Sequence, residues 1–262
     1  MNGAVKLSIM QVLSAYLFIL ILLLIVKRRG LNREKEIIIS TTRMTLQLIL
    51  TGYILTYIFK NPNPFITLLV ISIMEIFAIQ NIIKRSKTKL SYELKKVVIF
   101  SMIVGTLFTL FYFILIVINI KPWYNPQYFI PLAGMIIGNS MTGISLGINK
   151  LIDGFKNQID VIECSLMLGA SPKDACKPIL DNAFDSAILP TINSMVGMGI
   201  VFLPGMMTGQ ILSGSSPLVA IEYQIAIMLG ILGSVSISVI IFLLLGYKTF
   251  FNNRMQIKRE EL

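Results

Sequence analysis

Apolar stretches of helix length alternate along this chain with shorter polar and basic segments. Seven of the stretches approach the ~20 residues that an α-helix needs to cross the hydrocarbon of a bilayer. The pattern predicts an all-α, multi-pass membrane protein with about seven transmembrane helices, arranged as one transmembrane domain over residues 1–262. The predicted spans are Val5–Val26, Ile37–Phe59, Pro64–Ile83, Val97–Ile120, Tyr128–Ile148, Ala183–Leu203 and Val219–Tyr247.

Composition and charge agree with this assignment. Hydrophobic residues make up 55% of the 262 residues and charged residues only 14%, against about a quarter in soluble domains. Nineteen of the 23 Lys and Arg residues follow the first, third, fifth and seventh spans, and three lie on the other side. Because cytoplasmic loops carry the excess of basic residues, we expect the N-terminus outside and the C-terminus in the cytoplasm. The net charge of +10 then reflects membrane topology, and no nucleic-acid partner is expected.

The longest polar interruption, Asn149–Asn182, predicts a cytoplasmic helix-turn-helix. An apolar stripe runs at helical spacing from Leu151 to Leu166, and Gly169 follows where a helix can end in a left-handed residue. A Ser-Pro-x-Asp sequence starts the next helix at once, with serine as N-cap and proline in the first turn. Two short helices joined by a tight turn suit a surface that receives mechanical work from a partner. The candidate docking residues are Glu163, Leu168, Gly169, Ala170, Ser171, Pro172 and Asp174.

The chain lacks the usual equipment of an enzyme. It contains no histidine, the commonest general base and a common transition-metal ligand. It also lacks the G-x-x-x-x-G-K-[ST] loop that holds ATP phosphates and the G-x-S-x-G turn of hydrolases. We therefore expect no catalytic residues, no resident metal and no cofactor in this chain, and transport is the favoured class of function.

Polar side chains inside the predicted spans are candidates for a transport path. Arg43 and Glu75 lie at similar depth, so an ion pair between them is predicted, either as packing or as part of a cation path. The Pro- and Gly-rich run Pro204–Ser213 predicts a broken or re-entrant element, because irregular backbone at membrane depth must pack in protein or line a cavity. For the pair Met206 and Met207 we favour packing over metal binding. The candidate path residues are Arg43, Gln47, Glu75, Asn139, Thr142, Asn193, Ser194, Met206, Met207, Thr208 and Gln210.

Five segments carry a resemblance to a known family: Pro131–Gly147, Leu166–Ala175, Leu189–Ser194, Val201–Gly214 and Glu222–Met228. They are similar to the FetB-type ABC transporter permeases, which include a bacterial iron-export permease and plant relatives tied to aluminium tolerance. The resemblance implies a permease subunit in the bacterial plasma membrane that exports metal ions. It also implies a separate ATPase subunit that carries ATP and Mg, with two copies of each chain.

The segment around Glu163 also resembles the Glu-Ala-Ala loop of ABC importers. Glu163, Gly169 and Ala170 stand at matching positions, whereas Cys164 and Ser165 depart from the pattern after the glutamate. The resemblance implies that this segment is the contact for the ATPase.

Two other functions remain open on the residues alone. An ion-coupled secondary transporter or channel would use Arg43 and Glu75 as its coupling site. A membrane scaffold would use the cytoplasmic loop to recruit a partner and move no solute. The irregular sixth span favours transport, since a scaffold needs no polar path.

Overall fold

The computed structural model describes residues 7–86, 88–252 and 254–258, and over them the chain is helical almost throughout. A π-helical turn, Phe113–Ile118, extends the fifth helix. The helices are α1 Ile9–Ala15, α2 Leu17–Arg28, α3 Glu34–Lys60, α4 Pro64–Arg85, α5 Tyr92–Tyr112, α6 Pro126–Asn157, α7 Ile159–Met167, α8 Pro172–Gly197, α9 Gly205–Leu212 and α10 Pro217–Thr249.

Six helical stretches of the described chain are long and apolar enough to cross a membrane. They are α1 with α2, α3, α4, α5 with its π-helical turn, α6 and α10, and they match six of the seven predicted spans. The first predicted span begins at Val5, which lies outside the described residues. The all-α, multi-pass membrane fold is confirmed.

The predicted sixth span, Ala183–Leu203, is different in the structure. It is the second half of α8, which starts at Pro172 and stops at Gly197. The part from Ala183 to Gly197 would rise only about 22 Å, short of the ~30 Å of a bilayer core. The chain then turns through residues 198–204, where Gly199 has a φ of +83°, before α9 begins. The irregular backbone lies at residues 198–204, because Gly197–Met198–Gly199 stops α8 early, and the run Pro204–Ser213 predicted to be broken is mostly the regular helix α9.

Helix α10 lies at the centre of the bundle and packs against α5, α6 and α8, while α4 packs on α6. Small residues bring these helices close. A Cβ atom at Gly105 of α5 would lie 2.1 Å from Ser238 Oγ and 2.8 Å from Ser238 Cα on α10. A Cβ at Gly143 of α6 would lie 2.7 Å from Val235 Cγ1. Such contacts between glycine and a facing helix are typical of membrane bundles.

The first three helices lie at the periphery. Val26 is the one buried residue in α2 and Ile58 the one in α3. The hydroxyl groups of Tyr16 and Thr45 share a hydrogen bond that ties the first stretch to α3. These helices therefore present most of their surface to whatever surrounds the chain.

After α10 the chain folds back as a short hook, residues 250–252 and 254–258. The Phe250 ring stacks on Phe155 of α6 with centroids 4.4 Å apart, and Phe251 meets the same ring edge-on at 6.0 Å. A β-bridge pairs Phe251 with Ile257. The Lys258 ammonium lies 3.4 Å from a carboxylate oxygen of Glu93 on α5. The hook is thus attached to α5, α6 and α10 at once.

Candidate docking elbow and transport path

The turn between α7 and α8 has the geometry that the sequence predicts. Gly169 has a φ of +93°, a conformation that a residue with a Cβ adopts only with strain. Its N–H donates to the Leu166 carbonyl and the Ala170 N–H donates to the Ser165 carbonyl, both at 3.0 Å. These two bonds form a Schellman motif, which satisfies the last carbonyls of α7. We call residues 163–174 the elbow.

The start of α8 is capped as expected. Ser171 Oγ accepts a hydrogen bond from the Asp174 N–H at 3.2 Å and donates to the Asp174 carboxylate at 2.6 Å. Pro172 occupies the first turn, where no N–H is required. Both helix ends at the elbow are therefore closed by their own hydrogen bonds, and the turn between them is short and fixed.

The helix leading into the elbow differs from the prediction. The stripe from Leu151 to Leu166 does not belong to one helix, because α6 continues to Asn157 and α7 starts anew at Ile159. Gln158 separates them in a non-helical conformation. A one-residue break keeps apolar positions on the same side, so the periodicity of the sequence could not reveal it. The fifth span and the first nine residues of the predicted loop, up to Asn157, are one continuous helix.

The helices on both sides of the elbow are fixed by buried side chains, whereas the tip of the elbow exposes apolar side chains. Ile162 of α7 and Cys176 and Ile179 of α8 are buried in the core. Met167 and Leu168, at the tip, are 82% and 84% exposed. Exposed apolar side chains on a rigid, capped turn form a surface suited to contact with another protein.

Other candidate docking residues lie around this tip. Ala170 and Pro172 are half-buried, Asp174 is exposed, and Glu163 is half-buried on the opposite side of α7 from Val161. Both cysteines are free, with Cys164 exposed on α7. Burial raises the pKa of the Cys176 thiol to about 12, so that thiol is neutral and unreactive near pH 7.

The predicted ion pair is not formed. Among the described residues, Glu75 is buried and accepts a hydrogen bond from Thr106 Oγ1 of α5 at 3.1 Å. Arg43 is exposed on α3, with its guanidinium 5.1 Å from the centre of the Phe77 ring. Glu75 points into the interface of α4 with α5, and Arg43 stays outside on α3. The prediction rested on similar depth along two helices, and depth does not determine which faces of the helices are turned to each other. Gln47 is also exposed on α3.

Two candidates on α6 form their side-chain hydrogen bonds with backbone carbonyls of the same helix. Asn139 Nδ2 donates to the Met135 carbonyl at 2.7 Å, and Thr142 Oγ1 donates to the Gly138 carbonyl at 3.1 Å. Both side chains lie on the exposed side of α6. They therefore form a polar strip on the outside of this chain and not part of an internal pore.

The remaining candidates lie at the end of the bundle opposite the elbow. Asn193 is exposed on α8, and Ser194 Oγ donates to the Pro190 carbonyl at 2.9 Å. On α9, Met207 is buried, Met206 packs against the core, and Thr208 Oγ1 donates to the Pro204 carbonyl at 3.0 Å. The favoured assignment of Met206 and Met207 to packing agrees with this burial.

Gln224 of α10 belongs with this group and was missed by the sequence reasoning. It is 6% exposed, and its Nε2 lies 3.6 Å from the Met198 sulfur. The side-chain oxygens of Gln224 and of Gln210 on α9 are both buried without a hydrogen-bond partner among the described residues. The signal available was an amide among the few polar residues of the first half of α10, where Glu222 stands two positions earlier, since buried amides require partners. The eleven candidates thus fall into separate places: α3, the α4–α5 interface, the outside of α6, and the α8–α9–α10 end.

Comparison with known protein families shows which family this chain belongs to. The profile of the Uncharacterised protein family (UPF0014) matches residues 9–251, nearly the whole chain. The chain belongs to the UPF0014 family. Curated UPF0014 relatives cover the chain almost end to end, so the resemblance drawn from five segments is confirmed and the chain is a multi-pass membrane protein.

Three UPF0014 relatives, from two bacteria and a plant, are similar to this chain over most of its length. YjkA of Bacillus subtilis, a UPF0014 membrane protein, is 35% identical over 94% of this chain and 96% of its own length. The probable iron export permease protein FetB of Escherichia coli is 35% identical over 93% of this chain and 92% of its own length. The protein ALUMINUM SENSITIVE 3 of Arabidopsis thaliana is 31% identical over 94% of this chain and 88% of its own length. No solved structure matches this chain.

Proposed function

We propose that this chain is the membrane permease subunit of an ATP-binding-cassette transporter that exports metal ions, iron among them. A separate ATPase subunit, carrying ATP and Mg, docks on the elbow from the cytoplasm. Two permease chains pair, and the path for the ion lies between them in the bacterial plasma membrane.

The exposed tip of the elbow is the observation that carries this proposal. Met167 and Leu168 are more than four-fifths exposed, yet the helices on either side are fixed in the core through Ile162 and Cys176. A force applied at such a tip passes directly into α7 and α8, because the connecting turn is closed by its own hydrogen bonds. The concentration of Lys and Arg at this end supports a cytoplasmic position.

The exposed polar strip supports pairing of two chains. Arg43, Gln47, Asn139 and Thr142 all lie exposed on the outside of a single chain, on the membrane-spanning helices α3 and α6. Polar groups in a bilayer face protein or water, since exposure to lipid is costly. A second copy that covered these positions would shield them from lipid, and the two chains would enclose a polar passage between them.

The substrate proposal rests on the FetB relative and on the absence of a strong metal cage. Within the described residues, no group of three or more His, Cys, Asp or Glu side chains could hold a metal ion. Amide, hydroxyl and thioether groups hold cations weakly, and an exporter must release its ion on the far side. The ion-coupled alternative loses its main support, because Arg43 and Glu75 do not meet.

The test is reconstitution of this chain with the ATPase encoded beside it, in lipid vesicles. We expect a stable complex whose ATP turnover rises with iron or another exported ion. Leu168→Ser should reduce ion-stimulated turnover roughly fivefold or more, as loss of a central contact does. Gly169→Val should leave the complex assembled but uncouple ATP hydrolysis from transport, because the strained turn transmits motion poorly.

The matched control is Leu31→Ser. Leu31 is 55% exposed in the α2–α3 connection, which the charge pattern places on the same side of the membrane. Its substitution should leave turnover unchanged. Transport by the purified chain alone, driven by an ion gradient, would contradict the proposal, as would a complex in which Leu168→Ser has no effect.

A further inference from the structure

The C-terminal hook lies beside the elbow and shares a cavity with it. The cavity measures about 440 Å³ and opens between α7 and the hook. Its lining includes Leu166, Met167 and Ala170 from the elbow and Arg254, Met255 and Ile257 from the hook. Ile257 of the hook and Leu166 of the elbow also pack against the same hydrophobic core, so both walls of the cavity are supported by it.

The hook is built as a fixed turn. Asn252 Oδ1 accepts hydrogen bonds from the N–H groups of Arg254 and Gln256, both at 2.9 Å. The Met255 N–H donates to the Asn252 carbonyl at 2.9 Å, and the Lys258 N–H donates to the Phe250 carbonyl at 2.8 Å. One asparagine thus holds the residues that line the cavity, as Asx turns do.

Met255 occupies an unfavourable conformation at the tip of this turn. Its φ is +60°, in the left-handed region that only glycine and, less often, asparagine adopt readily. Its side chain is nevertheless 62% exposed, so it is not held there by burial in the core. Strained residues of this kind persist where the surrounding structure imposes them, and they cluster at functional sites. The turn presents a methionine outward beside the exposed Met167.

We infer that the hook is the second wall of the docking surface, so that the ATPase subunit inserts an apolar side chain between Met167 and Met255. Arg254, exposed at the rim, then faces a carboxylate of the ATPase. This inference rests on the proposed function, and it adds a contact that the elbow alone does not provide. Flexible methionines suit such a socket, because thioether side chains adapt to the shape of the inserted group.

The arrangement also gives the partner a direct connection to the centre of the bundle. The hook continues from α10, and its two phenylalanines are packed against Phe155 near the end of α6. A partner seated between elbow and hook therefore contacts extensions of α7, α8 and α10 together. Movement of the ATPase would displace these three helices as a set.

The experiment measures the affinity of the full-length chain in detergent for the ATPase encoded beside it. Met255→Gly removes the side chain and relieves the strain, because glycine adopts a positive φ freely. We expect binding roughly fivefold weaker or more with no loss of thermal stability. Arg254→Glu should weaken binding similarly, and more so at low salt, as a charge at an interface rim does.

The matched control is Lys84→Glu. Lys84 is an exposed cation at the end of α4, and it does not line the cavity. It receives the same charge reversal as Arg254 and should bind the ATPase like the wild type. Wild-type binding that Leu168→Ser weakens and Met255→Gly leaves unchanged would overturn the second wall alone. Absence of any binding by the wild type would overturn the proposed function itself.

Discussion

The helices before Asn61 and the helices after it differ in how far the chain covers its own surface. In the most apolar 18 residues of α3, none is buried. In the most apolar 18 residues of the α1–α2 stretch, 6% are buried. In α6 and α10 half of the corresponding window is buried. All four stretches are hydrophobic enough to enter a membrane, so hydrophobicity alone does not determine which of them form the core.

Small side chains make the difference. Gly105 and Gly143 bring α5 and α6 against α10, whereas a Cβ at Gly52 of α3 would meet nothing within 4 Å. Lipid cannot drive helices together by hydrophobicity, so close packing has to be supplied by residue shape. The first three helices lack these close contacts within one chain, and the polar side chains Arg43 and Gln47 of α3 stay exposed.

The largest expected effect is at the closest helix crossing. Gly105→Val should prevent α5 from reaching α10, because the Ser238 backbone stands 2.8 Å from the new Cβ and cannot rotate away. Overpacking of this kind costs roughly 1–3 kcal/mol and occasionally more. We expect little monodisperse protein in size-exclusion chromatography and a clearly lowered melting temperature. Gly52→Val in α3 serves as the control and should behave as the wild type; equal loss in both variants would contradict the comparison.

A smaller effect is expected at the buried carboxyl group. Thr106→Val removes the hydrogen bond that Glu75 accepts inside the bundle. Hydrogen bonds between membrane helices contribute roughly 0.6–2 kcal/mol, so thermal stability in detergent should fall by a corresponding amount. Thr56→Val on α3 removes a hydroxyl that bonds only its own helix, at the Gly52 carbonyl, and should change stability little. If the two variants are equally stable, the buried hydrogen bond contributes nothing.

The smallest effect is expected on the peripheral helix. Arg43 lies over the Phe77 ring at an exposed site, where a cation–π contact contributes about 0.5–1 kcal/mol. A double-mutant cycle of Arg43→Gln with Phe77→Leu should show a coupling energy of this size. The cycle of Arg43→Gln with Glu75→Gln should show none. Coupling to Glu75 instead of Phe77 would restore the ion pair that depth along the helices suggested.

Local signals in the sequence predicted local structure well. Gly169 and the Ser171–Asp174 cap were recognisable because each element satisfies its own backbone groups with residues a few positions away. Six spans followed from hydrophobicity alone. The hook was not foreseen, because its stability depends on Phe155, nearly a hundred residues earlier in the chain.

The failures share a cause. The Arg43–Glu75 pair and the single-helix stripe before the elbow both required knowledge of how helices are rotated and joined, which periodicity does not contain. The same is true of Gln224, whose environment is formed by Met198 on another element. Depth and face can be estimated from one helix, but a site between helices depends on their mutual orientation.

The unbroken length of α6 has a mechanical consequence. Its 32 residues rise about 48 Å, which exceeds the thickness of a bilayer core. Near its middle, Ser140 shares a hydrogen bond of 2.9 Å with Ser234 of α10. Phe129 near one end and Phe155 near the other are also packed against neighbouring aromatic rings, so α6 is held along its whole length. We therefore expect a displacement of the Asn157 end to reach the Pro126 end through one stiff rod, with no relay of side chains.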